Sequence, residues 1–254
     1  MIWIIGIVSL ISVLFIGYML FEATRNNLLA HTVHATGKAE QFRIFFISDT
    51  HNRLISPKLI EQIERQVDIV IIGGDFADKR TSDEKITQNL KTLTNLAPTY
   101  FIWGNNDLEV GYERLMHHFA KFNVQVVCND SVVVRKGLNP VRLCATDFNT
   151  GRAEAKLSLE KVEQEDYVLY ATHSPEDFHH FYKLRRPLLS FAGHVHGGQI
   201  RLGPYKKFPL GHFKERNGHY ELISNGYGTT LLPFRFLAKP QAHMITINFM
   251  DRFK

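Results

Sequence analysis

Cysteine is scarce. Only Cys128 and Cys144 occur in 254 residues. Two thiols exclude a disulfide-stapled scaffold, and a cysteine zinc site needs more thiolates at short spacing. Charge of one sign is also lacking, since charged residues make up 22% of the chain and the net charge is only +5. That bias suits an anionic membrane surface or a phosphorylated substrate, and it is too small to argue for nucleic acid. From Phe42 onward there is no Pro-, Gly- or Ser-rich linker, low-complexity tract or internal repeat. One domain is therefore expected over residues 41–254.

The first 21 residues hold no charged side chain. A run of about 20 apolar residues is enough for one membrane crossing, and Trp3 and Tyr18 sit near its ends, where interfacial aromatics belong. The run has no polar face, which argues against a buried core helix. No Lys or Arg precedes it, so neither a removed signal peptide nor a twin-arginine leader is supported. The expected organisation is a single-pass cell-membrane anchor over 1–21, a stalk with an entry strand over 22–40, and the domain beyond. Arg25 and Lys38 follow the span, and the positive-inside rule places the domain in the cytoplasm.

Within the domain, strands alternate with helices. Buried strands are expected at Arg43–Ser48, Ile69–Gly73 and Tyr100–Trp103, with helices at Ser56–Gln66, Ser82–Leu96 and Tyr112–Phe122. Val124–Val127, Val132–Arg135 and Val141–Ala145 read as a meander. A helix at Ala153–Glu163 follows, then strands at Tyr167–Thr172, Leu188–Ala192, Glu221–Ser224 and Met244–Phe249. The pattern is α/β, with two sheets packed together.

Polar residues collect where these strands stop: Asp49-Thr50-His51, Gly74-Asp75 with Asp78, Gly104-Asn105-Asn106-Asp107, His173, and Gly193-His194-Val195-His196. Ligands of open α/β sheets bind beyond the carboxyl ends of strands. The i, i+2 pairs, if extended, aim both side chains to one face. Imidazole and carboxylate together suit divalent Zn, Mn or Fe. Four histidines together with Asp49 and Asp75 exceed one tetrahedral ion and suit a pair roughly 3.5–4 Å apart.

This ordered set resembles the calcineurin-like metallophosphoesterases. Gly197-Gly198-Gln199 and Gly226-Tyr-Gly-Thr-Thr230 resemble its bacterial membrane-anchored branch, the YkuE- and YpbG-like proteins. The resemblance implies a four-layer αββα sandwich. It also implies two divalent ions, one on Asp49, His51, Asp75 and His196, the other on Asp75, Asn105, His173 and His194, with Asp75 as the bridge. Asp78, Asn106 and Asp107 are the further site residues, Asp78 orienting a loop or a ligand histidine. The implied reaction is hydrolysis of a phosphodiester or pyrophosphate bond by a metal-bridging hydroxide, in a phosphorylated small-molecule or lipid-linked substrate.

At Asn106 many family members carry a histidine that protonates the leaving group. A carboxamide is no general acid. Either the substrate has a leaving group that departs without that proton, or the chain is a non-catalytic metal-binding scaffold. Asn106 is then expected to donate a hydrogen bond to a phosphoryl oxygen. Arg201, Lys206 and Lys207 read as a solvated basic face, against a grip on an anionic head group. Leu231–Leu237 reads equally as core or as a bilayer contact. His117, His118, His179 and His180 read as surface residues, and both cysteines as buried apolar residues on neighbouring strands.

Overall fold

The computed structural model describes residues 1–63, 66–135, 138–148, 150–203 and 208–251. Lys206 and Lys207 lie outside the described residues. The chain opens with helix α1 (Ile2–Thr24), long and apolar enough to cross a membrane and mostly uncovered by the rest of the protein.

Strand β1 (Leu28–Thr36) follows, then β2 (Glu40–Ile47), the short helix α2 (Pro57–Ile60) and β3 (Ile69–Gly73). Next come α3 (Asp83–Thr94), β4 (Thr99–Ile102), α4 (Asp107–Val110), α5 (Tyr112–Lys121) and β5 (Gln125–Val126). The second half contains β6 (Asp130–Arg135), β7 (Val141–Ala145), α6 (Arg152–Leu157), β8 (Tyr167–Ala171), α7 (Phe178–Tyr182) and β9 (Leu189–Ala192). It closes with β10 (His212–Arg216), β11 (His219–Ile223) and β12 (Ala242–Met250).

Two six-stranded sheets result, ordered β1-β12-β2-β3-β4-β5 and β10-β11-β9-β8-β7-β6. Period-two alternation makes the layers. Along β2, Phe42, Ile44 and Phe46 face the second sheet, while Phe45 and Ile47 pack outward against Leu59, Leu90 and Phe119 of the helices. Along β8, Leu169 and Ala171 face inward, and Val168 and Tyr170 pack outward toward Ala155 and Phe181. Helix, sheet, sheet, helix is the expected αββα sandwich.

Three expectations need correction. The entry strand takes up more of residues 22–40 than expected and leaves little stalk: β1 pairs in parallel with all of β12. Because it is an edge strand, its polar side chains blur its bounds in pattern reading. The meander is also absent, because β5 joins β4 in the first sheet while β6 pairs with β7 in the second. The helix expected at Ser56–Gln66 is four residues long, and its residues 64 and 65 lie outside the described residues.

Strands β2, β3 and β4 run parallel in one sheet, and β7, β8 and β9 in the other. Their carboxyl ends meet at one edge of the sandwich.

Candidate metal centre

That edge gathers the polar residues. Asp49, His51, Asp75, His173 and His196 are buried, and Asn105, Asn106 and His194 are half-buried. Asp49 and His51 lie past the end of β2, and His194 and His196 past the end of β9. The i, i+2 logic therefore works differently from expectation. These four and Asp75 hold left-handed backbone, with φ between 47° and 68°. Each turn, not an extended strand, aims the side chains together.

Small residues make the turns possible. A Cβ on Gly193 would stand 2.3 Å from Asp49 Oδ2, and one on Gly104 would stand 2.3 Å from Asp75 Oδ1. The late glycine motif closes over the same loop. Tyr227 and Gly228 donate their backbone N–H groups to the Ser48 and Asp49 carbonyls at 2.9 and 2.7 Å.

Two donor groups form around Asp49 and Asp75. Asp49, His51 and His196 offer one, and Asp49, Asp75 and His173 the other. His51 Nε2 lies 3.1 Å from His196 Nε2, which lies 3.2 Å from Asp49 Oδ1. His173 Nε2 lies 3.2 Å from His194 Nδ1 and 3.4 Å from Asp75 Oδ2. His51 Nε2 reaches Asp75 at 3.7 Å. His173 Nδ1 sits 2.9 Å from the Gly73 carbonyl, so that nitrogen carries a proton and Nε2 is the one turned to the other donors. Both oxygens of Asp49 accept the His194 N–H.

The local field favours cations. Burial alone would depress His173, but Asp75 and Asp49 overcome it and lift its pKa to about 10. Burial would likewise raise Asp49, yet His196, His173 and His51 hold it well below the carboxylate range. A further observation tests the fit to a metal. Asn105 Oδ1 is buried without a hydrogen-bond partner among the described residues. A bare amide oxygen costs about 1–3 kcal/mol, and it is a donor that a hard divalent ion accepts. The residues fit.

The remaining site residues act as ties. Asp78 forms a salt bridge with Arg80 at 2.5 Å and lies 3.5 Å from His51 Nδ1. Asp107 accepts the backbone N–H groups of Ala77 and Gly104 at 3.1 and 2.9 Å, which locks two site loops together. Burial beside Asp75 lifts its pKa to about 7. Asn106 donates its backbone N–H to Asp75 Oδ1 at 2.8 Å and its Nδ2 to Asp75 Oδ2 at 2.6 Å.

Arg235 escaped sequence reading. It is fully buried, and its guanidinium donates to five backbone carbonyls: His196, Asn225, Gly226, Gly228 and Ala238. Burial lowers its pKa to about 9, so it stays charged at neutral pH. The signal was there, since a lone cation in the apolar run Leu231–Leu237 needs acceptors if it is buried. Arg201 is also no solvated residue, because it donates to the Gly197 and Phe208 carbonyls. Cys128 is exposed and donates its thiol to Asp147, away from any strand. His118 is buried and lies 3.1 Å from Asp83.

Beside the donors lies a cleft of about 500 Å³, lined by Asp75, Asn105, Asn106 and His194 on one side and by Ile200, Phe208, Leu231 and Leu232 on the other. A carboxylate-imidazole nest at the strand ends of a two-sheet sandwich defines the class of metallophosphoesterases. The chain belongs to the calcineurin-like phosphoesterase family, whose model matches residues 42–198. It is 31% identical over 248 residues to the uncharacterized protein YpbG of Bacillus subtilis (strain 168), across 95% of each chain. It is 27% identical over 176 residues to the phosphodiesterase YaeI of Escherichia coli (strain K12), across 65% of this chain and 64% of that one. In fold it matches a Staphylococcus aureus protein designated a 5′-nucleotidase, at a TM-score of 0.57 and 12% identity. That match covers 85% of this chain and 56% of the other.

Proposed function

We propose that the chain is a membrane-anchored phosphodiesterase working with two divalent ions, Mn, Zn or Fe. Family membership makes it a metal-dependent phosphoester hydrolase. The observation that carries the finer reading is the convergence of two imidazole pairs on Asp49 and Asp75 beside the unpartnered Asn105 oxygen. Asp49, His51, Asp75 and His196 would hold one ion, and Asp75, Asn105, His173 and His194 the other. The ions would activate water and neutralise charge on the phosphoryl group.

The chain's own residues do the rest. Asn106 holds both oxygens of Asp75 and keeps one amide hydrogen for a phosphoryl oxygen. Asp78 and Asp107 position loops and take no part in proton transfer. Hydrolysis of a diester adds water across one P–O bond and yields a monoester and an alcohol. The Asn106 amide cannot supply the alcohol's proton, which favours diesters and pyrophosphates with good leaving groups. The N-terminal helix supports anchoring, and Arg25 and Lys38 after it support a cytoplasmic domain.

The test uses the full chain in detergent, loaded with Mn²⁺, on a bis-aryl phosphodiester and an aryl monoester. Metal-dependent turnover that prefers the diester and vanishes in Asp75→Ala is expected. No turnover with two ions bound would return the chain to the scaffold reading.

A further inference from the structure

The cleft's apolar wall is joined to the N-terminal helix. Phe236 packs edge-on against Phe15, with ring centroids 5.0 Å apart, and against Tyr18 at 6.1 Å. The Arg235 backbone N–H donates to the Met19 carbonyl at 3.1 Å. The same segment is bonded to the cleft: Phe236 N–H donates to the Gln199 carbonyl, and Arg201 N–H donates to the Phe236 carbonyl. The Gln199 side chain accepts the Thr230 N–H and donates to the Thr230 and Leu232 carbonyls. A second clamp holds the end of the helix, where Arg53 donates to the carbonyls of Thr24, Arg25 and Tyr227. The helix is thus fixed to the site, not tethered to it.

That attachment sets a depth. A helix of 23 residues spans about 35 Å at 1.5 Å per residue, against a hydrocarbon core of about 30 Å. Met19 and Phe15 lie about 7 and 13 Å along the axis from Thr24. Whatever packs on them sits at or below the boundary between head groups and acyl chains. The segment that does so carries Leu231, Leu232 and Leu237, which are 80%, 59% and 60% exposed. In water such a cluster is a liability, whereas at that depth it is solvated by lipid.

We propose that the cleft opens onto the bilayer and takes the phosphodiester head group of a membrane lipid, with Leu231, Leu232 and Leu237 seated at the acyl boundary. The phosphate would meet the Asp75–His194 side, and the lipid's first methylenes would run along Ile200, Phe208, Leu231 and Leu232. This deepens the membrane-anchored hydrolase reading above and rests on it.

The test reconstitutes the full chain with Mn²⁺ in vesicles of digalactosyldiacylglycerol, which carry no phosphate, with a soluble bis-aryl phosphodiester as reporter. Three competitors are compared: phosphatidylglycerol in the bilayer, sulfoquinovosyldiacylglycerol at the same mole fraction and charge, and glycerophosphoglycerol in the water. Confinement to one surface raises the effective concentration, so phosphatidylglycerol should raise the reporter's apparent KM by about tenfold, while the other two leave it near its starting value. Equal effects of the two lipids would reduce the result to surface charge and overturn the substrate assignment. Equal effects of phosphatidylglycerol and glycerophosphoglycerol would place the substrate in solution.

A second measurement needs no activity. In a Trp3→Phe background, Leu237→Trp should be quenched by lipids brominated on their acyl chains. Leu138→Trp, at an equally exposed position (59%) at the opposite end of the sheets, should not. Equal quenching at both positions overturns the seating of the loop. Reporter turnover that is absent in every vesicle while Leu237→Trp is quenched would sink the hydrolase reading and spare the surface.

Discussion

Arg235→Met is the sharpest perturbation of the site's foundation. Two effects oppose each other. The guanidinium is fully buried and its pKa is depressed to about 9, so removing the charge relieves a desolvation cost. Against that stand the carbonyls it leaves. Gly226 and His196 keep other donors, the N–H groups of Gln241 and Gln199. Asn225, Gly228 and Ala238 keep none among the described residues. Each orphaned buried acceptor costs about 1–3 kcal/mol, so the loss should be at least about 3 kcal/mol before relief and should outweigh it. For a chain of this size each kcal/mol of net loss should lower the Tm by about 2–4 °C. Arg235→Lys should fall between, since an ammonium has three donors and cannot span five carbonyls. The assay is thermal unfolding of the full chain in detergent by circular dichroism, with a parallel Mn²⁺ titration, because the His196 and Gly228 loops both lose their tie. A Tm for Arg235→Met equal to that of the parent would refute the reasoning. It would mean that burying the guanidinium costs as much as its bonds return.

Further outcomes follow from the geometry. Asn106→Ala should lower kcat/KM on the aryl diester by about ten- to a hundredfold, the worth of a hydrogen bond to a charged group; unchanged kinetics would remove Asn106 from the reaction. Asn106→His should raise kcat on an alkyl diester by about 10²-fold and change the aryl diester little, and a uniform change across both substrates would contradict a leaving-group role. His243 is buried, 3.0 Å from His31 Nε2 and 2.9 Å from Ser224 Oγ, and burial lowers its pKa from 6.5 to about 3. Below pH 6.5 the unfolded chain takes up a proton that the folded chain refuses until about pH 3. Stability should therefore fall with pH across that window, by about 1.4 kcal/mol per pH unit from this group. In denaturant melts His243→Gln should show a shallower slope there, and an identical slope would show that His243 is not held neutral.

Most of the centre was legible because its residues are chemically unusual at strand ends, where the sequence had only to place Asp49, Asp75 and His173 after apolar runs. Their backbone was not legible. Side-chain spacing alone does not distinguish an extended pair from a left-handed turn, and at His51 and His196 the turn holds. The bounds and partner of β1 were not legible because Ala30, His31, Thr32 and His34 carry no apolar rhythm, and its pairing to β12 spans more than 200 residues. A chain cut at residue 40 would lose that strand, so any assay is better run on the full chain. Arg235 was missed for the opposite reason: an apolar neighbourhood masked the one residue in it with a polar task.

The left-handed residues of the site have a consequence for selection. Outside glycine this conformation costs about 1–2 kcal/mol per residue, and His51, His194 and His196 all adopt it. Glycine at any of them would relieve the strain and delete a side chain the cleft needs. A library screened for heat resistance alone should therefore enrich glycine and asparagine at these positions, and the hardiest survivors should be inactive. Thermostability and turnover pull this short stretch of chain in opposite directions, so an engineer would do better to stabilise the far end of the sandwich and leave these turns alone.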